Sequence, residues 1–108
     1  MNKNIRKKTS TIILDCTLRD GGYYNNWDFE SNVVERYLKS MQAASVDVIE
    51  IGFKSMPIST FRGPYYYCTD SFLEGLSLPS DSTIGVMINC NEVFTEKDKT
   101  DDIITQLF

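Results

Sequence analysis

The chain contains no histidine. That removes a Ser-His-Asp triad and any histidine-ligated metal built from these residues alone. Cysteine is sparse: Cys16, Cys68 and Cys90 are an odd number without CxxC spacing. A disulfide framework and a zinc knuckle are therefore not indicated. Cys16 and Cys90 read as small buried residues, and a catalytic thiol lacks a histidine to activate it. No apolar run approaches the ~20 residues of a membrane span. Ile12-Ile13-Leu14 is too short for a signal-peptide core, and Asp15 follows at once. A cytoplasmic protein with no membrane partner is the expectation. Positive charge is in deficit: 11 Lys and Arg against 15 Asp and Glu give a net charge of −4. This argues against a nucleic-acid partner. The exception is the run Lys3-Asn4-Ile5-Arg6-Lys7-Lys8, so residues 1–10 read as a flexible, solvated basic N-terminus.

What is present suits one small globular domain of 108 residues. Residues 11–18 read as a continuous β-branched and aliphatic strand covered on both faces. Its period of two puts Leu14, Cys16 and Leu18 on an apolar face. Ile13, Asp15, Thr17 and Arg19 fall on a face that turns polar toward the end. A Gly-, Tyr- and Asn-rich loop follows, with Asp28 or Ser31 as candidate helix cap. Val34, Tyr37, Leu38, Met41 and Ala44 recur at helical spacing within residues 29–44. Residues 46–53 read as a second strand, with Ile49, Ile51 and Phe53 on one face and Val48, Glu50 and Gly52 on the other. A long loop over residues 54–68 carries Phe61, Tyr65, Tyr66 and Tyr67; loops of this length are often functional. Residues 70–76 read as a short helix with Ser71 and Glu74 at capping-box spacing. Residues 83–90 read as a third strand and 96–108 as a weak helix. This alternation predicts an α/β fold with parallel strands and covering helices. It fits a doubly wound sheet or the first three β/α units of a (β/α)8 barrel, which needs ~250 residues in all.

In such folds chemistry gathers at the C-terminal strand ends. Arg19 and Asp20 end the first strand, Glu50 nears the end of the second, and Asn89 ends the third. Asp20 is a candidate metal ligand, or a turn cap before Gly21. Arg19 can steady a developing enolate or carboxylate, or form a structural ion pair with Glu50 or Asp15. Glu50 can orient Arg19, the favoured role, or transfer protons. Asn89 reads better as a strand-end turn residue than as a site residue. The loop tyrosines read better as packing than as a lid over a ligand. Gly21-Gly22 lacks the spacing of a dinucleotide fingerprint.

The segment Asp15-Cys16-Thr17-Leu18-Arg19-Asp20-Gly21 resembles the first-strand motif of the DRE-TIM metallolyases. Its extension through Gly-Gly-Tyr-Tyr-Asn-Asn-Trp-Asp is similar to the 4-hydroxy-2-oxovalerate aldolase-like subgroup. So are Glu50-Ile51-Gly52-Phe53-Lys54-Ser55 and Gly63-Pro64-Tyr65-Tyr66-Tyr67-Cys68. The resemblance implies a (β/α)8 barrel that makes or breaks a C–C bond beside a 2-oxo group through a metal-bound enolate. It implies Asp20 as ligand to Mg2+ or Mn2+, Arg19 as enolate stabiliser, Glu50 beside that arginine, and a small 2-oxo acid as substrate. The family completes its metal site with a His-x-His pair that this chain lacks, and Tyr23 stands about where the subgroup carries a histidine base. Residues 1–108 are thus expected to be the N-terminal part of such a barrel, holding an incomplete site and inactive alone. The reading from a different class is a non-catalytic α/β module that binds a small anion or a protein partner, with homo-oligomers forming through open sheet edges.

Overall fold

The computed structural model describes residues 10–93 and 100–108. Nearly all of the expected basic N-terminus and the start of the expected last helix lie outside these. Strand β1 is Leu14–Asp15, β2 is Val48–Phe53 and β3 is Thr83–Met87. They form one parallel sheet in the order β1-β2-β3. Helix α1 (Thr17–Gly21) follows β1, α2 (Ser31–Ala43) leads to β2, and α3 (Asp70–Glu74) lies between β2 and β3. Helices α4 (Cys90–Val93) and α5 (Thr100–Leu107) follow β3. Single 3-10 turns occur at Gly22–Tyr24 and Pro64–Tyr66. Parallel strands joined through helices match the α/β expectation.

The central strand behaves as its pattern predicts. Ile49 and Ile51 are fully buried and Phe53 nearly so, packed in one cluster with Val34 and Leu38 of α2. A bulge at Ile51 breaks the register: Glu50 pairs with Gly85, and Gly52 with Val86. Beyond it every residue from Gly52 to Ser55 is buried. Gly52 is required there, because a Cβ would sit 2.0 Å from the Tyr65 carbonyl oxygen.

The first strand departs from expectation. Only Leu14 and Asp15 pair with β2, and Leu14 is 50% exposed. The reason is local competition. The Asp15 carboxylate accepts the Thr17 N–H at 3.0 Å, and the Asp20 N–H then bonds to the Cys16 carbonyl. A side-chain oxygen that takes a backbone donor two residues on offers the chain a turn instead of a ladder. Helix α1 therefore begins inside the expected strand. Leu18 is buried from a helical turn, whereas Cys16 is half-buried. The third strand also ends early, at Met87, and Cys90 opens α4 in an exposed position rather than a buried one.

The caps differ too. Glu30 precedes α2 without a side-chain bond, so neither Asp28 nor Ser31 is the cap. Thr69, not the Ser71 and Glu74 pair, caps α3 by accepting the Phe72 N–H at 3.2 Å. Helix α2 ends in a Schellman motif: Ser45 N–H bonds to Gln42 O and Val46 N–H to Met41 O, both at 3.1 Å, with Ser45 at φ 56°.

Candidate functional site

Asp47 ties the starts of the three strands together. Its carboxylate accepts the Ile13 N–H at 2.8 Å, its own N–H gives to the Ile13 carbonyl, and its carbonyl accepts the Thr83 N–H at 2.8 Å. These bonds fix the N-terminal end of the sheet, and α1 places the candidate residues at the opposite end of β1.

Arg19 and Glu50 meet. Arg19 Nε, on α1, donates to Glu50 Oε1 of β2 at 2.5 Å, with both side chains mostly buried. Glu50 stands in the middle of β2 rather than near its end. Of the two ion-pair partners expected for Arg19, Glu50 is the one realised. The Asp15 carboxylate instead accepts from Tyr37 Oη at 2.5 Å and from Thr17 N–H. The bond to Glu50, opposed by partial burial, raises the Arg19 pKa further and keeps the guanidinium a fixed cation. A second contact holds the backbone: Trp27 Nε1 donates to the Arg19 carbonyl at 2.9 Å. Glu50 thus grips one corner of the guanidinium. The Nη atoms make no hydrogen bond among the described residues, and Nη1 lies 3.7 Å from Asp20 Oδ1. An arginine held in this way can receive an anionic oxygen without first rearranging.

Asp20 points away from the core, its side chain 69% exposed. Its oxygens suit a hard divalent cation. The count does not: among the described residues no group of three His, Cys, Asp or Glu side chains could hold a metal ion. One carboxylate does not make a metal centre.

Asn89 takes the turn role. Its Oδ1 accepts the Asn91 N–H at 2.9 Å at the start of α4. Asn89 also lines a cleft with Tyr23, Trp27 and Tyr66. The tyrosines pack, as favoured. Trp27 lies 4.8 Å from Tyr23, 5.5 Å from Phe53 and 5.0 Å from Tyr66 between ring centres, and Tyr65 touches Phe29 and Phe72 edge-on. Gly22 permits this: a Cβ there would lie 2.0 Å from the Trp27 ring. Buried Cys68 is no nucleophile, because burial pushes its thiol up to about 12 despite the nearby Lys54.

Three residues escaped the sequence reading. Lys54 is buried, with Nζ donating to the Cys68 carbonyl at 2.8 Å and to Asp70 at 3.3 Å. Ser55 is 5% exposed, and its hydroxyl has no hydrogen-bond partner among the described residues. Arg62 lies over the Tyr66 ring. The available signal was the pair Lys54-Ser55 directly after an apolar strand, a place where polar groups are costly unless bonded.

No protein-family model and no curated protein matches the chain. Among solved structures it is similar to the crystal structure of the N-terminal domain of a putative aldolase from Bacteroides vulgatus. The two share 36% sequence identity and superpose with a TM-score of 0.72, over 90% of this chain and 33% of that chain. The present chain thus spans about a third of that solved chain. No helix among the described residues is long and apolar enough to cross a membrane.

Proposed function

We propose that this chain is the N-terminal part of a carbon–carbon lyase of the DRE-TIM type, supplying three β/α units of a (β/α)8 barrel. The observation that carries the reading is the Arg19–Glu50 pair just after β1, with the arginine's Nη atoms making no hydrogen bond among the described residues and Asp20 adjacent. Similarity to the N-terminal domain of a putative aldolase supports it. The substrate class is a small 2-oxo acid or its aldol adduct. In the cleaving direction the bond between the carbon α to the oxo group and the carbinol carbon breaks. The carbinol proton leaves to a base as that carbon becomes an aldehyde, and the bonding pair becomes an enolate. Arg19 stabilises the enolate oxygen by charge and hydrogen bonding, and Glu50 keeps its guanidinium in place. Asp20 would contribute one oxygen to a divalent ion, Mg2+ or Mn2+. The remaining ligands must come from outside the described residues.

The test uses a protein that carries the downstream sequence. Pyruvate methyl protons should exchange with D2O in the presence of Mn2+, and Arg19→Gln should slow that exchange by about a hundredfold. Exchange that ignores Arg19 rejects the role. Manganese binding that survives Asp20→Ala rejects the ligand assignment. The 108-residue chain by itself should show no exchange.

The sheet edges favour a second reading, association. β1 and β3 bound the sheet, and Leu14 of β1 and the preceding Ile12 and Ile13 are exposed. A chain that stays monomeric at millimolar concentration in sedimentation runs would reject it.

A further inference from the structure

Trp27 holds the main chain of the residue whose side chain Glu50 holds. Its indole Nε1–H donates to the Arg19 carbonyl at 2.9 Å, and Arg19 Nε donates to Glu50. Helix α1 has five residues, too few to keep its own shape without outside support. Burial of Leu18 supplies part of that support, and the two bonds to Arg19 supply the rest. A long side chain anchored at its root and near its tip loses most of its rotamer freedom.

Packing alone would not need this arrangement. Trp27 and Asn26 both stand at φ 58°, in the left-handed region. A bulky side chain is rare there and persists only where the surroundings enforce it. The Trp27 N–H donates to the Gly22 carbonyl at 3.1 Å and to Asn25 Oδ1 at 3.2 Å. The Asn26 carbonyl accepts the Gly63 N–H at 2.7 Å. Two glycines leave the room. A Cβ at Gly22 would fall 2.0 Å from the indole, and one at Gly63 would fall 2.2 Å from the Trp27 carbonyl oxygen. Their φ angles, −61° and −72°, suit any residue, so space rather than conformation calls for glycine. Contact with Phe53 and Tyr66 needs only a flat ring. What an indole adds is the N–H.

We propose that Trp27 is the positioning residue of Arg19, and that the long loop after β2 sets Trp27 through Gly63. The turn over residues 25–27 is clamped between α1 and that loop, so a shift of the loop reaches the guanidinium through the indole. What the held arginine does rests on the lyase reading; that Trp27 holds it does not.

The test reads Arg19 itself. In the 108-residue chain the Arg19 Nε–H gives an NMR signal, identified by its loss in Arg19→Lys, and magnetisation transfer measures its exchange with water. Trp27 is the chain's single tryptophan, so benzothienylalanine supplied in its place exchanges the N–H for sulfur and keeps the ring shape. The Arg19 Nε–H should then exchange about fivefold faster. The backbone amides of Ile49 and Ile51 should exchange as before; a merely structural ring would move both sets together or neither. Coupling is reciprocal, so the Gly63 amide should also exchange faster. An unchanged Arg19 signal overturns the proposal, and so does an acceleration shared equally by Ile49 and Ile51. An unchanged Gly63 amide overturns the part given to the loop. Should the chain not accept the analogue, Trp27→Phe gives the same readouts. In the protein that carries the downstream sequence, Trp27→Phe should lower kcat for pyruvate proton exchange about tenfold and leave KM unchanged. Full activity beside a faster Arg19 exchange would reject the lyase role of Arg19 and keep the positioning.

Discussion

β1 and β2 lie side by side in one sheet yet are held by different forces. β2 is held by burial: Ile49 and Ile51 are fully enclosed, and the bulge that follows keeps Gly52, Phe53, Lys54 and Ser55 inside. β1 pairs through only two residues, and Leu14 is half open. Polar bonds position it and the helix it leads into: Asp47 to Ile13 and Tyr37 to Asp15 at the strand, Glu50 to Arg19 and Trp27 to the Arg19 carbonyl at α1. Burial is non-directional and makes a stable frame, whereas hydrogen bonds fix angles. Arg19 and Asp20, which need a fixed orientation, are carried by the short helix after this lightly buried strand, and Leu18 is the buried residue of that helix.

Core truncation should separate the two strands most. Ile51→Ala is expected to lose about 4 kcal/mol, and Leu14→Ala about 1 kcal/mol or less. Urea unfolding followed by Trp27 fluorescence measures both. Equal losses would mean that β1 is covered in solution, through association or through residues outside those described.

Glycine substitution should come next in size. Gly52→Ala forces a Cβ to within 2.0 Å of the Tyr65 carbonyl oxygen and 2.9 Å of Cys68 Sγ. Backbone cannot give way as a side-chain tip can, so the loss should be about 3 kcal/mol. Gly21→Ala would meet only the Phe29 ring, at 3.8 Å, in a helical conformation with φ −65°. It should be neutral or gain about 0.5 kcal/mol. Thermal midpoints of the two variants settle whether the motif glycine serves space, as Gly52 does, or only conformation.

The same contrast explains what could be read from the chain alone. The alternation of Ile49, Ile51 and Phe53 predicts the buried face of β2 because burial acts on hydrophobicity, which sequence displays directly. The spacing of Val34 and Leu38 predicts the inner face of α2 for the same reason. Residues 11–18 mislead because their β-branched content is high, while one aspartate diverts the backbone through a bond to Thr17. That outcome depends on which local hydrogen bond wins, and composition does not reveal it. The Arg19–Glu50 meeting was legible because Arg19 follows β1 closely and β1 and β2 are parallel neighbours, although Arg19 reaches Glu50 from α1 and Glu50 stands in mid-strand. The cleft that Asn89 lines, with Ser55 and Arg62, was not. The fold brings it together from the Gly22–Tyr24 turn, the end of β2, the long loop and the residues after β3, and no spacing along the chain encodes that convergence.

Acid should test the polar side of the comparison. Burial acts to raise the Asp15 pKa, but the bonds from Tyr37 and Thr17 outweigh it and leave it below the ordinary value of 3.8. A carboxylate lowered in the folded state contributes stability that is present above that value and is lost as pH falls through the lower folded pKa. Tyr37→Phe removes one of those bonds. It should cost about 1.5 kcal/mol at pH 7 and flatten the decline in stability below pH 3.8. The pH dependence of the urea midpoint reads this out. A decline as steep as in the unaltered chain would show that other groups control the acid limb and that Asp15 does not position β1.

The smallest effect expected is a gain, and it lies at the join between the two regions. Ser45 ends α2 with φ 56°, a left-handed conformation that disfavours any residue with a Cβ. The Schellman bonds require it: Ser45 N–H reaches Gln42 O, and Val46 N–H reaches Met41 O. Val46 is buried there, so the turn cannot relax without exposing it. Glycine adopts the same conformation without steric cost, though it adds freedom to the unfolded chain. The first effect should exceed the second, so Ser45→Gly is expected to stabilise by about 0.5–1 kcal/mol. The change touches neither Arg19 nor the aromatic cluster around Trp27. A loss of stability would mean that the helix end relaxes in solution and that entry into β2 is set by Asp47 alone.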